Sequence, residues 1–352
     1  MSVLHRLEKG VRRLVLGLLS QPAERDRDGR SRINLSASPG ILVIRVDRLG
    51  DALTSTPVLR ALRERYPDAK IDILLGEKNA PVGPLLPDID ERMVLRRGRL
   101  LSTIGKLKRN RYDVVLNLHL NRSASASLVS RLARGRHVVE HPAQQEIKEH
   151  VVCLTSRILM PLGIAPIDHS MWEQHPLRII LPPASVRRAQ AVCSTLLDGQ
   201  GPVHRVFLNV SASVENRRWP AERWGRLADG LARMGFLSIL CGTPEDTAAL
   251  AAAVEAAEGS AIVLPPTPSY PDFAANLALA DIVVTTDGST VHLAAALGKP
   301  TVALYTAAHM AIAWAPWGVP NRTISSPRGI LDLQPAEVLS AVESLGRPRW
   351  HV

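Results

Sequence analysis

The sequence has little of the material that builds disulfide frameworks, membrane spans and aromatic cores. Only three of its 352 residues are cysteines, and Cys153, Cys193 and Cys241 lie far apart, which predicts no disulfide framework, no C-x-x-C zinc site and a reducing, cytoplasmic environment. No run of about 18 consecutive apolar residues occurs, so no transmembrane helix is predicted. Aromatic residues make up 4% of the chain and hydrophobic residues 46%, a balance typical of an aliphatic α/β protein long enough for two domains.

Sequence motifs for common cofactors are also missing. The chain contains no Walker loop, no G-x-S-x-G and no G-x-G-x-x-G. No D-x-D motif stands in a loop directly after a predicted strand, so nothing in the sequence calls for a divalent metal that would hold a diphosphate. We therefore predict neither a cofactor nor a metal site.

Positive charge is in excess. Lysine and arginine number 43 against 33 acidic residues, a formal net charge of +10, which favours phosphates, nucleotide sugars, acidic lipids or nucleic acid as partners without choosing among them. The run 92–111 contains eight basic residues and no acidic one. It is either a solvated helix face or a docking surface for an anionic lipid or an acidic sugar.

The first 40 residues differ from the rest of the chain. Apolar residues from Val3 to Leu19 recur at helical spacing, and basic residues fall largely on the opposite side. Such a helix can lie in the headgroup region of an anionic leaflet, or it can pack on the protein's own core. Residues 21–40 are polar and turn-rich, so we assign residues 1–40 to an N-terminal amphipathic helix and a flexible linker.

From residue 41 onward, apolar runs alternate with amphipathic segments. Strands are predicted at 41–46, 71–76, 112–118, 206–210, 236–242, 282–286 and 301–305, with helical patterns between them. This alternation predicts an α/β protein with two doubly wound, Rossmann-like domains of parallel strands. We place the first domain at 41–180 and the second at 181–352. A strand at 176–183 is predicted to lead out of the first, and a helix at 334–345 lies near the C-terminus.

The most informative stretch is DIVVTTDGSTVHLAAALGKPTVALY, residues 281–305. It predicts a strand, a tight turn at 287–290, a helix and a second strand, which together form a parallel βαβ unit. Ligands of such sheets bind where strands end and helices begin, because free backbone N–H groups point there. Asp287 stands at the strand tip, Ser289 and Thr290 are candidate N-caps, and His292 lies close enough to help hold a phosphate. The alternative is a capped turn with a surface or core histidine.

This stretch resembles the nucleotide-sugar signature of glycosyltransferase family 9, the lipopolysaccharide heptosyltransferases. The matching positions are Asp287, Gly288, Ser289, His292, the run 293–298, Pro300 and the strand 301–305. The resemblance implies the GT-B architecture, in which two Rossmann-like domains face each other across a cleft and the C-terminal helix can cross back onto the first domain. It also implies that Asp287, Gly288, Ser289, Thr290 and His292 bind the donor.

The loop after the first strand carries a second match to this family. Arg45, Asp47, Gly50, Asp51, Leu53, Thr56, Pro57 and Leu59 stand at the family's fixed positions. The resemblance implies that Asp51 is the general base, since sugar transfer to a hydroxyl needs a proton acceptor within about 3 Å of it. Asp47, Arg48 and Gly50 would line the cleft beside it. Two alternatives remain, in which Asp51 only caps a helix or Asp47 serves as the base.

A third match lies in the polar loop 211–220. Ser213 corresponds to a hydroxyl that contacts the donor diphosphate, and Arg217 stands where the family generally has a lysine that neutralises it. Glu245 and Asp246 follow the next predicted strand, in the region where the ribose of a nucleotide is commonly held. The resemblance weakens at 117–180, the region expected to recognise the acceptor, where Asn117 replaces the aspartate that the family often has in this strand.

The resemblance implies an inverting, metal-independent glycosyltransferase that moves heptose from ADP-heptose to an acidic, lipid-linked sugar of the lipopolysaccharide core. The enzyme would then work in the cytoplasm, peripherally at the inner face of the inner membrane, with no nucleic-acid partner. Two alternatives stay open: a related transferase of another nucleotide sugar in glycan or secondary-metabolite assembly, or a catalytically silent protein that binds nucleotide sugar or lipid.

Overall fold

The computed structural model describes residues 32–121, 123–142, 147–197 and 203–346. The predicted N-terminal helix lies outside these residues, as does most of the predicted linker. Two parallel sheets organise the rest of the chain, one of five strands between residues 40 and 140 and one of six between 204 and 325. The predicted α/β class, with two domains of parallel strands, is confirmed. The exact domain boundary at 180 stays a prediction.

The first sheet has the strand order β3-β2-β1-β4-β5. Its strands are β1 (Gly40–Arg45), β2 (Lys70–Gly76), β3 (Glu91–Leu95), β4 (Val114–Asn117) and β5 (His137–Glu140). Its helices are α1 (Leu49–Thr54), α2 (Thr56–Arg65), α3 (Leu100–Asn110), α4 (Ala124–Leu132) and α5 (Val151–Ser156). Since β1 is central, the loop from β1 to α1 emerges at the middle of the sheet's carboxyl edge, where ligands of parallel sheets bind.

The second sheet has the order β11-β10-β9-β6-β7-β8. Its strands are β6 (His204–Asn209), β7 (Phe236–Cys241), β8 (Ala261–Val263), β9 (Ile282–Thr286), β10 (Thr301–Tyr305) and β11 (Asn321–Ser325). Its helices are α6 (Pro183–Leu196), α7 (Ala221–Arg233), α8 (Thr247–Ala256), α9 (Tyr270–Leu277), α10 (Ser289–Ala296), α11 (Ala308–Trp314) and α12 (Pro335–Leu345). β9 and β6 are neighbours, so the loops after them share one edge.

The two domains share an apolar cluster. Ile41 and Leu53 of the first domain belong to the same buried cluster as Val283 and Leu293 of the second. β1 is buried from Ile41 onward and β9 along its whole length, because a parallel strand covered by helices on both faces has no solvent side. This shared core brings α1 and α10, the helices that follow those strands, against each other.

Two expectations differ from the structure. Residues 176–183 form no strand. Proline at 176, 182 and 183 cannot donate to a ladder, and this extended segment is held instead by separate bonds, such as Ile180 N–H to the Leu85 carbonyl at 2.8 Å. The C-terminal helix α12 does not cross back onto the first domain. Its Val338 and Val342 are buried beside Trp219 and Trp224 of the second domain.

Among the described residues, no helix combines the length and the apolar character that crossing a bilayer requires.

Candidate active site

The loop after β1 leads to the predicted base, Asp51, whose carboxylate contacts the buried side chain of Arg45. Arg45 is 1% exposed, and its guanidinium contacts the carboxylates of both Asp51 (Nη2 to Oδ1, 3.2 Å) and Asp47 (Nη1 to Oδ2, 3.4 Å). Its Nε donates to the backbone carbonyl of Asp51 at 3.0 Å, and Nη1 donates to the Leu118 carbonyl. A buried guanidinium needs such partners. Arg45 therefore fixes the conformation of the loop as well as its charge.

Burial raises the pKa of Asp51 above its ordinary value. The Arg45 guanidinium opposes this rise and the nearby Asp47 carboxylate adds to it. The side chain of Asp51 nevertheless keeps 16% of its exposure, so a substrate hydroxyl can reach it. A partly desolvated carboxylate with a raised pKa suits a general base. Asp51 lies in the first turn of α1, where its carboxylate accepts a hydrogen bond from the backbone N–H of the N-cap residue Arg48.

Sequence reasoning missed His119, which lies beside this loop. The residue follows β4, the neighbour of β1, and its Nε2 accepts the Val46 N–H at 3.2 Å. Asn117, the unusual residue of this strand, donates to the Glu140 carboxylate at 2.8 Å and accepts the His119 N–H at 3.3 Å. Only the pairing of β1 with β4, which sequence does not display, brings His119 to Asp47.

Across the cleft, the turn after β9 presents Asp287 beside Arg217. Nη1 of Arg217 lies 3.1 Å from Oδ2 of Asp287, whose side chain is 7% exposed. Burial raises the pKa of Asp287, and the positive charges of Arg217 and Arg48 oppose the rise. Arg48 belongs to the first domain, so a basic side chain of each domain acts on the same carboxylate. The predicted diphosphate-binding arginine thus faces a carboxylate.

The start of α10 differs from the predicted capping. Gly288, not Ser289 or Thr290, is the N-cap residue, and no side chain caps the helix. Thr290 is instead part of the scaffold, because its hydroxyl accepts from Asn209 Nδ2 at 3.2 Å while the same amide donates to Thr285 at 3.0 Å. An α-helix that begins without a side-chain cap leaves backbone N–H groups in its first turn for an anion.

His292 lies deeper than the sequence suggested. It is 3% exposed, and burial lowers its pKa to about 3, so the ring is neutral near pH 7. A neutral His292 can help hold a phosphate only by hydrogen bonding, for which its unpartnered Nδ1 is available. A methyl group added at Gly50 would lie 2.9 Å from Cδ2 of His292. Gly50 is thus the point at which the loop of the first domain touches the donor-side helix.

The remaining donor-side residues fall into two groups. Ser213 and Glu245 are exposed in the loops after β6 and β7 and are free to meet a ligand in the cleft. Asp246 is buried and already occupied, since it accepts from Ser211 at 2.6 Å and from Arg218 at 2.8 Å and takes part in a capping box with Thr243. A role of Asp246 in ribose binding would have to displace these partners, whereas the exposed Glu245 carboxylate is bonded to the Thr243 side chain.

Within the part of the chain that the structure describes, no group of three or more His, Cys, Asp or Glu side chains is arranged to hold a metal ion.

The sequence matches known proteins along most of its length. The family model of glycosyltransferase family 9 (heptosyltransferase) matches residues 182–334. Lipopolysaccharide heptosyltransferase 3 of Escherichia coli is 26% identical over 296 residues, which covers 76% of this chain and 83% of the relative. Lipopolysaccharide heptosyltransferase 1 of Escherichia coli K12 is 27% identical over 288 residues, which covers 75% of this chain and 87% of the relative.

Solved structures share the fold. A family 9 glycosyl transferase from Veillonella parvula superimposes with a TM-score of 0.75 at 22% identity, covering 88% of this chain and 99% of that one. The ADP-heptose lipopolysaccharide heptosyltransferase II of Escherichia coli gives 0.68 at 21% identity, with 87% and 98% covered. The GT-B architecture expected from the sequence is confirmed. The family model over residues 182–334, the curated relatives and these solved structures all show that the chain is similar to glycosyltransferase family 9, and together they support a glycosyltransferase.

Proposed function

We propose that this protein is an inverting, metal-independent transferase that moves heptose from ADP-heptose to a sugar of the lipopolysaccharide core. The observation that carries the proposal is the contact of Gly50 with the start of α10, which places the Asp51 loop beside Asp287 and Arg217. A proton acceptor and a diphosphate site then meet at one point of the cleft. The relatives that carry the name heptosyltransferase supply the sugar and the acceptor class.

The proposed reaction is a single displacement. The acceptor hydroxyl gives its proton to the Asp51 carboxylate as its oxygen bonds to the anomeric carbon of the heptose. The bond from that carbon to the phosphate oxygen breaks on the opposite side, and ADP leaves with the electron pair. The departing negative charge faces Arg217, Arg48 and the free N–H groups at the start of α10. These positive groups take the place of a metal ion. Asp287 orients Arg217 until the donor arrives.

A donor panel tests the proposed function. The protein is incubated with ADP-heptose, UDP-sugars and GDP-sugars, with and without a lipopolysaccharide core that lacks heptose, and released nucleotide is measured. ADP release from ADP-heptose that rises with the acceptor supports the proposal. Release from another sugar nucleotide would favour the related transferase. Binding without release from any donor would favour a catalytically silent protein.

Loss of either member of the Arg217–Asp287 pair should weaken ADP binding. Arg217→Ala removes a charged donor to the diphosphate, and Asp287→Ala removes the carboxylate that holds Arg217 in the cleft. Each change should cost about 1–3 kcal/mol, the size of one charged hydrogen bond, in a calorimetric titration with ADP. The matched control is Arg233→Ala, since Arg233 is 77% exposed on α7 of the same domain and pairs with Asp229. ADP affinity unchanged in both variants would place the donor site elsewhere.

We also propose peripheral attachment to an anionic membrane through the basic run and the N-terminal segment. Two members of the basic run already have partners, since Arg92 donates to backbone carbonyls and Lys106 donates to Glu91. Other basic side chains of the run are exposed, namely Arg96, Arg99, Lys108, Arg109 and Arg111. Leu101 is 85% exposed and Leu100 37% exposed at the start of α3. Apolar side chains bordered by basic ones suit a headgroup region, where each Lys or Arg contributes about 1 kcal/mol.

Sedimentation with vesicles that contain anionic lipid tests this attachment. We expect the full chain to bind at low salt and to be released at high salt, and a chain that starts at Ser31 to bind more weakly. Leu100→Ser/Leu101→Ser should weaken binding further, whereas Ile312→Ser, a change at a residue 60% exposed on the second domain, should not. Equal, salt-independent sedimentation of both chain lengths, or none, would contradict the proposal.

A further inference from the structure

His119 lies against the proposed catalytic loop although it comes from another strand. β1 and β4 pair in parallel, with Ile44 opposite Asn117, so the residues that follow the two strands lie side by side. The side chain of His119 is 9% exposed and faces the loop from Val46 to Asp47. Neither the donor site nor the base assignment uses this residue.

The partners of its two ring nitrogens fix the tautomer of His119. Nε2 accepts the backbone N–H of Val46 at 3.2 Å, so the ring proton resides on Nδ1. Nδ1 lies 3.4 Å from Oδ2 of Asp47. Burial, together with the positive charge of Arg45, lowers the pKa of His119 to about 4, and the ring is neutral near pH 7. His119 thus holds the loop backbone with one nitrogen and presents an N–H to Asp47 with the other.

Asp47 and Asp51 share a single positive charge. Arg45 reaches Oδ2 of Asp47 with Nη1 at 3.4 Å and Oδ1 of Asp51 with Nη2 at 3.2 Å. His119 and Arg45 approach the same oxygen of Asp47, while Oδ1 of Asp47 is buried without a hydrogen-bond partner. The closer Asp47 is held to Arg45, the less of the guanidinium charge stabilises the ionised form of Asp51.

We propose that His119 is a positioning residue for the base: it holds Asp47 against Arg45, and so keeps Asp51 a strong proton acceptor. The inference rests on the proposed role of Asp51. A charged His119 ring would itself lower the pKa of Asp51, but the ring is neutral near pH 7, so its effect there is through Asp47. The backbone N–H of Arg48 favours the ionised carboxylate, and His292, across the cleft, is neutral near pH 7. Glu140, behind His119, is bonded to Asn117 and to the Ser130 hydroxyl.

Loss of the ring should weaken the base. In His119→Leu the Val46 N–H loses its acceptor and Asp47 loses a donor. The Asp47 side chain, which is 22% exposed, can then turn to solvent, so that of the two carboxylates only Asp51 still contacts the Arg45 guanidinium. The pKa of Asp51 should fall by about one unit, and kcat should fall about three- to tenfold with its acid limb moved to lower pH. His119→Gln, which offers an amide acceptor and an amide donor, should restore the wild-type profile.

Two readouts separate this inference from the function on which it rests. The first is the pH dependence of ADP release from ADP-heptose with a lipopolysaccharide core that lacks heptose. The second is the titration of the Asp51 carboxyl ¹³C resonance in aspartate-labelled protein, assigned by its loss in Asp51→Asn. An Asp51 pKa in His119→Leu equal to or above that of the wild type overturns the inference, even where the variant is less stable. Failure of the proposed function appears differently, as full turnover in Asp51→Asn.

Discussion

Replacement of Asp51 by alanine should cut turnover by roughly 10²–10⁴-fold while ADP affinity stays close to that of the wild type. The reason is the position of Asp51. It lies in the first turn of α1 in the first domain, whereas the groups expected to hold ADP belong mainly to the second domain, so base and donor site are carried by different elements. Burial raises the pKa of this carboxylate, which makes it a stronger proton acceptor than an exposed aspartate. Turnover is measured as ADP release at saturating donor, and affinity by calorimetry.

The matched variant is Asp47→Asn. Asp47 lies four residues before Asp51 and contacts the same arginine, Arg45. Asp47 is the alternative base, but its Oδ2 is held by Arg45 and faces His119. We expect Asp47→Asn to lower turnover only about three- to tenfold, through its effect on the Asp51 pKa. The reverse order of effects would make Asp47 the base. Turnover retained in both variants would remove the loop from the chemistry. A fall in ADP affinity equal to the fall in turnover would show that Asp51 acts in donor binding.

Strands were predicted most accurately where their local residue pattern matches their burial in the fold. The strands at 282–286 and 301–305 have the predicted bounds, since a short apolar and β-branched run bounded by a turn is typical of a strand buried on both faces. Strands β3, β5, β8 and β11 were missed. They are the edge strands of the two sheets and are partly exposed; β3, β5 and β11 contain charged residues, and β8 has only three residues. The apolar signal on which strand prediction depends is weak there.

The candidate site could be predicted only as far as motifs reach. Asp51, Asp287 and Arg217 were expected in the cleft, and the structure brings their loops together. The neutrality of His292 could not be foreseen, because it follows from packing against Gly50 and Trp314 rather than from any neighbour in sequence. The bond from the Asn209 amide to the Thr290 hydroxyl likewise comes from a strand about 80 residues earlier, which no local pattern displays.

Several histidines are buried in the neutral state, and they should make the fold sensitive to mild acid. Burial lowers the pKa of His119, His141 and His150 to about 4 and that of His292 to about 3. An unfolded histidine has a pKa near 6.5. Each of these side chains therefore takes up a proton on unfolding, so stability is full above about pH 6.5 and falls as the pH decreases toward 4.

The size of the effect follows from the same linkage. At pH 5, a histidine with a pKa of about 4 in the folded state and about 6.5 in the unfolded state costs about 2 kcal/mol. Four such groups amount to an upper bound of about 8 kcal/mol, comparable with the whole stability of a typical domain. Asp51 and Asp287 act in the opposite direction, since burial raises their pKa and they gain protons in the folded state as the pH falls. Their influence is confined to the acid end of the window.

Among these histidines, His150 takes part in the contact between the two domains. Its Nδ1 accepts the Val152 N–H at 3.2 Å and its Nε2 donates to the Ala315 carbonyl of the second domain at 3.0 Å. The ring also packs on Trp317 with centroids 4.5 Å apart. A proton on Nδ1 would face the Val152 N–H, and this bond would be lost. Protonation therefore breaks one end of a link that joins the two domains.

We expect the Tm to fall by more than about 10 °C between pH 7.5 and pH 5, and the urea midpoint to fall with it. Replacement of His150 by glutamine removes one titrating group. The variant should be less stable at pH 7.5, yet it should lose about 2 kcal/mol less than the wild type between the two pH values. His309→Gln, at an exposed position on α11, is the matched control and should leave the pH dependence unchanged. A wild-type Tm that is flat from pH 7.5 to pH 5 would contradict the prediction. A slope equal in His150→Gln and the wild type would show that His150 does not contribute to it.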